Sequence, residues 1–298
     1  MIRVTACMLC GCSESTPVQS GVRHDPTLEV RQCRDCGLVF VSPRPTTDEL
    51  ERYYQRLYRD DYREPPVEER HRLDREEAKA RVHRLGPLLG PRPRVLEVGS
   101  GSGAFLDAIR PHTDQVVGVE PDESSRAYIS NRLGLRVRTD VSEVMYEGDT
   151  FDLIVLFHVV EHLLQPVEFL HGLRALLRTQ GTLIIEVPNV EDVLVSVYAV
   201  PAYLRFYYQK AHLYYFSKAT LARTLTKAGF HADIQFVQRY DLSNHIRWML
   251  TGKPGGQGYY RKWLLPSVQA AYARSLEHAG LSDTLWAVAR PGPSAAEP

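Results

Sequence analysis

The sequence predicts an α/β fold that carries a small metal-binding module at its N-terminus. Strand and helix patterns alternate from Arg94 onward, as expected for a largely parallel sheet flanked by helices. All five cysteines instead lie within the first 36 residues, in two Cys-x-x-Cys pairs and one further thiol. A charged segment separates these regions. The chain therefore divides into 1–45, 46–90 and 91–291, followed by a disordered tail over 292–298.

The composition indicates a folded protein of one large domain or two. The 298 residues are 44% hydrophobic, which is enough for a sizeable core. Lys plus Arg and Asp plus Glu both number 36, so the basic excess of many nucleic-acid-binding proteins is missing. No apolar run is long enough to span a bilayer, and the N-terminus has no signal-peptide pattern. We therefore expect a cytoplasmic protein without membrane or nucleic-acid partners.

The two Cys-x-x-Cys pairs have the spacing of a structural zinc site. Four thiolates satisfy tetrahedral zinc and leave no coordination position open for catalysis. A glycine after each pair lets the backbone turn tightly beside the metal. Short strands are expected over 27–33 and 38–42. Cys12 is a spare thiol or an alternative to Cys10. The predicted ligands of this zinc ribbon are Cys7, Cys10, Cys33 and Cys36.

The connector over 46–90 is rich in charged residues and in tyrosine. Thr47 is a suitable N-cap for a helix that begins near Asp48. A Pro-Pro pair interrupts this helix, and a second helix is expected over 67–85. Two interpretations of the tyrosines stay open: a stripe packed on the next domain, or a roof over a small-molecule pocket. They are Tyr53, Tyr54, Tyr58 and Tyr62.

Beyond the connector, apolar runs typical of buried strands alternate with helical patterns. The predicted strands cover 94–98, 115–120, 135–139, 151–157, 181–187, 232–238 and 284–290. The predicted helices cover 102–110, 123–133, 166–178 and 218–228. Two longer connections, near 192–217 and 241–280, are expected to form lid insertions over a pocket.

The first of these strands runs into a glycine-rich turn that opens a helix. Gly99, Gly101 and Gly103 allow positive φ and a close backbone approach to a ligand. Glu97, two residues before the turn, suits the ammonium group of a cationic ligand better than a pyrophosphate. Glu120 ends the second strand and is placed to bind ribose hydroxyls. The turn also satisfies the G-x-G-x-x-A dinucleotide pattern, so a nicotinamide-dependent dehydrogenase is a competing interpretation.

The pattern E-x-G-x-G-x-G, followed by an acid at the end of the next strand, resembles the class I S-adenosylmethionine-dependent methyltransferases. Phe151-Asp152-Leu153-Ile154 resembles the fourth strand of that family, and Gly181-Thr182-Leu183 resembles the start of its fifth. The resemblance covers about 94–240 and the last strand. It implies a Rossmann-like seven-stranded sheet in the order 3-2-1-4-5-7-6, with the seventh strand antiparallel.

The resemblance also implies roles for individual residues in binding S-adenosylmethionine. Glu97 and the three glycines would line its methionine part, and Glu120 would bind its ribose. Residues after the second, third and fourth strands would contact the adenine base or lie beside the methyl donor. They are Pro121, Asp122, Asp140, Val141, Phe157 and His158. Asp140 has a second interpretation as a helix cap.

The segment from His158 to His162 reads H-x-x-E-H and follows the fourth strand. The same pattern occurs in inverted zinc proteases, which need a long helix, whereas the nearby Pro166 leaves room for a short turn only. Glu161 and His162 resemble the Glu-His pair of quinone-pathway O-methyltransferases and deoxysugar C-methyltransferases. Some of the former bind a metal near E-x-x-E-H, where this chain has His158 in place of the first glutamate.

Methyl transfer requires an acceptor that is held in line with the methyl group and loses a proton. A histidine is a suitable base near neutral pH, and a neighbouring carboxylate can orient it and raise its pKa. We therefore predict His162 as the base with Glu161 as its partner, and His158 as a further candidate. Packing of His162 within the short helix is the alternative.

The two lid insertions contain the remaining candidates. The segment HLYYFS, residues 212–217, resembles one in zinc-ribbon-bearing methyltransferases of polysaccharide and antibiotic-sugar pathways. His212 is a candidate second base or a packing residue. The residues predicted to contact the acceptor are Tyr214, Tyr215, Asn244 and His245.

These patterns predict methyl transfer from S-adenosylmethionine to a small molecule, with a sugar or natural-product intermediate favoured. The alternatives are an RNA methyltransferase whose ribbon docks RNA, and a catalytically silent relative that acts in assembly. Neutral charge and the lack of a basic, aromatic patch in the ribbon argue against RNA. The sequence does not indicate the acceptor, the atom that is methylated or the oligomeric state.

Overall fold

The computed structural model describes residues 1–56, 61–62 and 64–292. Its N-terminal ribbon contains three antiparallel strands, β1 (Ser15–Val22), β2 (Asp25–Cys33) and β3 (Val39–Ser42). β2 and β3 match the two predicted strands within two residues. β1 is an additional strand. Its polar sequence has no apolar alternation, and its strand conformation depends on pairing with β2.

Two helices of the connector follow the ribbon, α1 (Thr47–Arg56) and α2 (Val67–Leu85). The cap of α1 is Thr46, one residue earlier than predicted. The Glu49 N–H donates to Thr46 Oγ1 (3.3 Å), while Glu49 Oε2 accepts from the Thr46 N–H (2.9 Å). This reciprocal capping box explains why the helix already begins at Thr47. Tyr58 lies outside the described residues.

The larger domain is built on a seven-stranded mixed sheet in the order β10-β11-β8-β7-β4-β5-β6. Its strands are β4 (Arg94–Val98), β5 (Gln115–Val119), β6 (Arg136–Arg138), β7 (Phe151–Phe157), β8 (Leu177–Pro188), β10 (Phe230–Val237) and β11 (Thr284–Pro291). β11 is antiparallel to both of its neighbours. When the seven strands are numbered along the chain, the sheet reads 6-7-5-4-1-2-3. This is the predicted order 3-2-1-4-5-7-6 read from the opposite edge, so the prediction is confirmed.

Nine helices, which the structure places within residues 104–279, complete this domain and its insertions. They are α3 (Ala104–Ile109), α4 (Glu123–Asn131), α5 (Val141–Tyr146), α6 (Pro166–Leu173), α7 (Val193–Ser196), α8 (Pro201–Tyr207), α9 (Lys218–Lys227), α10 (Leu242–Thr251) and α11 (Pro266–Ala279). The central strands β4, β5 and β7 are buried on both faces, which explains their apolar runs. Ile154 and Leu156 of β7 join one core cluster, and Leu153 and Val155 join the other.

One boundary differs clearly from the prediction. The helix expected over 166–178 ends at Leu173, a single 3₁₀ turn follows, and β8 begins at Leu177. Leu177 pairs with Phe151 at the start of β7, so the sheet extends into a segment with helical sequence preference. Tertiary pairing therefore overrides local propensity here.

The ribbon is joined to the larger domain by a fourth strand, β9 (Tyr214–Tyr215), which pairs with β3. Both tyrosines are buried, and Arg44 Nη1 donates a hydrogen bond to Tyr214 Oη (2.6 Å). Tyr215 Oη accepts from the Gln209 N–H (2.8 Å). These contacts correct the prediction that the two tyrosines touch the acceptor: their side chains are used at the junction instead.

Among the helices of residues 1–56, 61–62 and 64–292, none has both the length and the apolar composition that a membrane span requires.

Candidate active site

The turn between β4 and α3 forms one wall of the candidate site. Its three glycines, Gly99, Gly101 and Gly103, all have positive φ. A Cβ atom on Gly99 would lie 2.5 Å from Val159 Cγ2. A Cβ atom on Gly103 would lie 2.7 Å from Ile129 Cγ1, so this glycine is required by packing of α3 on α4. No atom lies within 4 Å of a Cβ built on Gly101, which therefore faces open space.

Glu120 ties the end of β5 to this turn. Its Oε2 accepts a hydrogen bond from the Gly101 N–H (2.7 Å), and its Oε1 accepts one from the Asp122 N–H (2.9 Å). Burial raises the pKa of the Glu120 carboxyl to about 7, although both backbone N–H groups act in the opposite direction. Asp122 in turn caps α4. The acid and the glycine turn thus form one preorganised unit.

A cleft of about 380 Å³ adjoins this unit at the carboxyl edge of the parallel strands. Predicted cofactor residues in its walls are Gly99, Gly101, Glu120, Pro121, Asp122, Asp140, Val141 and His158. Asp140 also caps α5 by accepting from the Ser142 N–H (2.7 Å). Tyr54 of α1 lines the cleft, whereas its neighbour Tyr53 is buried. Tyr54 therefore fits the interpretation of a roof over a pocket, and Tyr53 fits that of a packed stripe.

A second cavity, of about 230 Å³, shares Gly99, Gly101 and His158 with the cleft. Phe157 and Glu97 line it, together with Arg81 and Arg239. Glu97 is 3% exposed, and burial raises the pKa of its carboxyl well above the usual range. Its Oε2 has no hydrogen-bond partner among the described residues. The wall of this cavity therefore includes a buried carboxyl with one oxygen that no described residue hydrogen-bonds.

His158 stands between the two cavities with a φ of +56°. Its Nδ1 lies 3.2 Å from Glu161 Oε1, and its Nε2 lies 3.0 Å from Glu186 Oε1. Burial and Arg239 lower the pKa of this imidazole, but the two carboxylates outweigh them and raise it. Arg81 forms two hydrogen bonds with Glu186, of 2.9 and 3.0 Å. His158 is thus held within a charged network.

Sequence reasoning missed three members of this network, Arg81, Glu186 and Arg239. Glu186 is the one acid in the apolar run of β8, a signal that could have marked it. The two arginines have no comparable signal, because Arg81 lies in a helix rich in charged residues and Arg239 lies in the connection two residues after β10.

His162 lies in a single helical turn, Val160–His162, which excludes the long two-histidine helix of an inverted zinc protease. Its Nδ1 is 2.9 Å from the Ala211 carbonyl oxygen and 2.7 Å from Tyr54 Oη. Because a carbonyl only accepts, Nδ1 carries the proton and Nε2 is the unprotonated, basic nitrogen. Burial lowers the pKa of His162, so the ring is neutral at pH 7.

The partner predicted for His162 needs a correction. Glu161 is hydrogen-bonded to His158 rather than to His162, although it lies nearby. Tyr54 and Ala211 therefore orient the His162 ring. The 1% exposed Glu161 has one oxygen, Oε2, without a hydrogen-bond partner among the described residues. Its charge still acts on His162 and partly offsets the effect of burial on the pKa.

The remaining predicted residues lie behind the cleft rather than in it. His212 packs edge-on against His162, with 4.7 Å between ring centroids, and burial lowers the pKa of His212 to about 3. Asn244 and His245 are buried in α10, where His245 Nδ1 lies 2.8 Å from Tyr272 Oη. Neither Asn244 nor His245 lines the cleft, so their predicted acceptor contact is not supported.

The four predicted zinc ligands converge in the ribbon. Cys7 Sγ lies 3.5 Å from Cys36 Sγ, and Cys10 Sγ lies 3.5 Å from Cys33 Sγ. Thiolates at about 2.3 Å from a tetrahedral zinc ion are about 3.8 Å apart, so the cluster has suitable dimensions. Cys12 lies outside the cluster, where it accepts a backbone hydrogen bond.

A family model described as a methyltransferase domain matches residues 69–233, more than half of the chain. The chain belongs to this methyltransferase family. The matched region of the methyltransferase contains the glycine turn, Glu120 and His162, whereas the ribbon and the later insertion lie outside it.

Curated relatives match a shorter part of the methyltransferase. A probable S-adenosylmethionine-dependent methyltransferase of Mycobacterium tuberculosis is 33% identical over 109 residues, which is 36% of this chain and 39% of that protein. A ubiquinone biosynthesis O-methyltransferase of Bradyrhizobium diazoefficiens is 28% identical over 101 residues, or 32% and 40%. The chain thus spans about two fifths of the length of these relatives.

A solved structure supports the same fold. The crystal structure of a SAM dependent methyltransferase from Archaeoglobus fulgidus aligns with a TM-score of 0.52 and 20% sequence identity. The alignment covers 78% of this chain and 97% of that chain.

Proposed function

We propose that this methyltransferase transfers a methyl group from S-adenosylmethionine to a small-molecule acceptor, with His162 as general base. The main support is the hydrogen bond from the Gly101 N–H to Glu120, which holds a carboxylate beside the glycine turn. At Gly101 this turn faces open space in which a ligand can bind. S-adenosylmethionine, when bound, supplies a methyl group activated by its sulfonium. Sequence similarity to S-adenosylmethionine-dependent relatives supports this cofactor.

The residues present fit that cofactor. Glu120 has the position and the acceptor oxygens to bind ribose hydroxyls, and Asp140 and Val141 lie along the same cleft beside the expected adenine. The second cavity offers Arg81 for a carboxylate and the partnerless oxygen of Glu97 for an ammonium group. The chain thus presents complementary groups for both ends of the molecule.

His162 is suited to remove the acceptor proton. Its ring is neutral at pH 7, its Nδ1 proton is committed to Ala211, and its Nε2 can accept. Tyr54 orients the ring from the connector side. A neutral, oriented imidazole is a general base that needs no metal.

The size of the cleft supports a small acceptor. Small-molecule sites commonly occupy about 300–1,000 Å³, and the cleft of about 380 Å³ also has to receive part of the cofactor. One similar protein carries the name ubiquinone biosynthesis O-methyltransferase, which supports a small organic acceptor here too. Sugar and natural-product intermediates of similar size stay within the proposal.

Calorimetric titration with S-adenosylhomocysteine tests the proposal. The wild type is expected to bind with micromolar affinity and Gly101→Arg to lose binding, because the new side chain fills the open space at the turn. Gly134→Arg is the matched control: Gly134 also has positive φ (+65°) and no atom within 4 Å of a Cβ, but lies outside the cleft. Loss of binding in both variants, or in neither, would contradict the assignment.

Replacing Glu120 with glutamine is expected to weaken S-adenosylhomocysteine binding about 10- to 100-fold, because a charge-assisted hydrogen bond is lost. The pKa of about 7 adds a pH signature. The ionised carboxylate is the better acceptor for ribose hydroxyls, so wild-type affinity should rise as pH increases through 7. Glutamine does not titrate, so the variant should show no such rise. Titrations at pH 6 and pH 8 check both statements.

We also propose that the ribbon holds one structural zinc ion. Four convergent thiolates at suitable separation support this role, because four thiolates complete the tetrahedral coordination of zinc. The ligands would be Cys7, Cys10, Cys33 and Cys36.

A further inference from the structure

The insertion between β10 and β11 has an unusual charge distribution. Residues 242–276 contain five basic side chains and no acidic one, in a chain that is neutral as a whole. The basic residues are Arg247, Lys253, Arg261, Lys262 and Arg274. The structure shows no carboxylate paired with any of them within its described ranges. Four of the five are exposed, and Arg247 is half-buried.

Large apolar side chains are exposed in the same segment. Leu250, Trp263 and Leu265 are 71%, 65% and 67% exposed. Exposed to a lesser degree are Met249, Tyr259 and Val268. A single exposed apolar residue is ordinary, but a cluster that includes tryptophan, leucine and methionine points to an interaction partner.

Cations and aromatic rings alternate within this surface. The Arg247 guanidinium lies 4.7 Å from the centre of the Tyr259 ring, and Lys262 Nζ lies 4.2 Å from that of Trp263. Tyr260 contacts both aromatic rings, with centroids 4.8 and 5.9 Å away. These contacts join Arg247 of α10 to the aromatic residues near 259–263, and we call the exposed basic and apolar side chains of this segment the basic-aromatic surface (residues 247–268).

We propose that the basic-aromatic surface docks the methyltransferase on bilayers that contain anionic phospholipids. Lysine and arginine pair with lipid phosphates, while tryptophan, tyrosine and aliphatic side chains enter the boundary between headgroups and acyl chains. This combination is what a peripheral membrane surface requires, and it needs no spanning helix. The proposal replaces the expectation of a protein without membrane contacts.

Two other partners fit the surface less well. A symmetric contact with a second copy of the chain would place this patch against itself, bringing four positive charges to face four more. A nucleic acid would pair with the cations and stack on Trp263, but it offers no environment for Leu250 and Leu265. A bilayer offers phosphate groups to the cations and an apolar environment to the leucines.

The insertion that carries this surface begins and ends at the edge of the sheet where the candidate active site lies. Val237 at the end of β10 pairs with Thr284, which pairs with Pro188 at the end of β8. Arg239, two residues beyond β10, already contacts His158. Docking through this insertion would therefore bring the bilayer to an element that is attached directly to the active-site edge of the sheet.

The test is sedimentation of the full chain with vesicles, which does not depend on methyl transfer. We expect binding to vesicles of phosphatidylcholine with about one third phosphatidylglycerol, and little binding to pure phosphatidylcholine. Raising the salt concentration should weaken binding, because added ions screen the cations. The double variant Arg261→Gln/Lys262→Gln should bind about thirtyfold more weakly.

A second pair of variants separates the apolar contribution from charge. Leu265→Ser should reduce vesicle binding severalfold, whereas Leu73→Ser, at a 57% exposed leucine on α2, should not. Circular dichroism and S-adenosylhomocysteine titration verify that each variant is folded. The proposal is overturned if the wild type ignores anionic vesicles, or if Leu73→Ser reduces binding as much as Leu265→Ser. Concentration-dependent dimerisation without vesicle binding would point to a second copy instead.

Discussion

Replacing His162 with glutamine is expected to lower kcat by about 100-fold or more, the range for loss of a positioned general base. Glutamine can still donate to the Ala211 carbonyl, but it has no nitrogen that takes up a proton at neutral pH. The affinity for S-adenosylhomocysteine should change little, since the proposed ribose and methionine contacts involve other residues. The measurement is release of S-adenosylhomocysteine with an acceptor found by screening phenols and deoxysugar nucleotides.

The pH profile distinguishes a base from a packing residue. Burial lowers the pKa of His162, so wild-type kcat should stay high at neutral pH and fall only as the pH drops through a value below 6.5. The glutamine variant should lack this acidic limb. His171→Gln, at an exposed histidine on α6, is the matched control and should behave like the wild type. Full turnover by the His162 variant would assign His162 to packing.

Replacing Cys36 with serine should remove zinc from the protein and unfold the ribbon. Structural zinc contributes about 10–16 kcal/mol of apparent binding free energy in small zinc-dependent folds, so losing one thiolate is severe. We expect one zinc per chain in the wild type and much less in the variant, measured by elemental analysis. The thermal unfolding transition should move to lower temperature, because Cys7, Leu9 and Phe40 share a core cluster with the larger domain.

Cys12 offers the matched control for this experiment. Its thiol accepts a hydrogen bond from the Glu14 N–H (3.3 Å) and lies outside the four-cysteine cluster. Cys12→Ser should therefore keep both the zinc and the unfolding temperature. A zinc-replete Cys36→Ser variant would disprove the ligand assignment, and zinc loss in Cys12→Ser would show that Cys12 replaces Cys10.

The errors of sequence interpretation have a common origin. Tyr214 and Tyr215 follow His212 in a motif-like segment, yet they complete a strand pairing with the ribbon. The helix predicted over 166–178 gives way to β8 because Leu177 pairs with Phe151. In each case the deciding contact lies far away in the chain, where no local pattern can indicate it.

The sequence by itself determined the order of the elements, the strand order through family resemblance, the glycine turn and the four convergent cysteines. These features depend on apolar periodicity and on short motifs whose members are close in the chain. The tertiary structure alone decided the surroundings of the two histidines of the candidate site. Tyr54 reaches His162 across 108 positions, and Arg81 reaches Glu186 across 105. Such pairs form only after the sheet and the connector pack together, because folding rather than local spacing brings their side chains within hydrogen-bond distance.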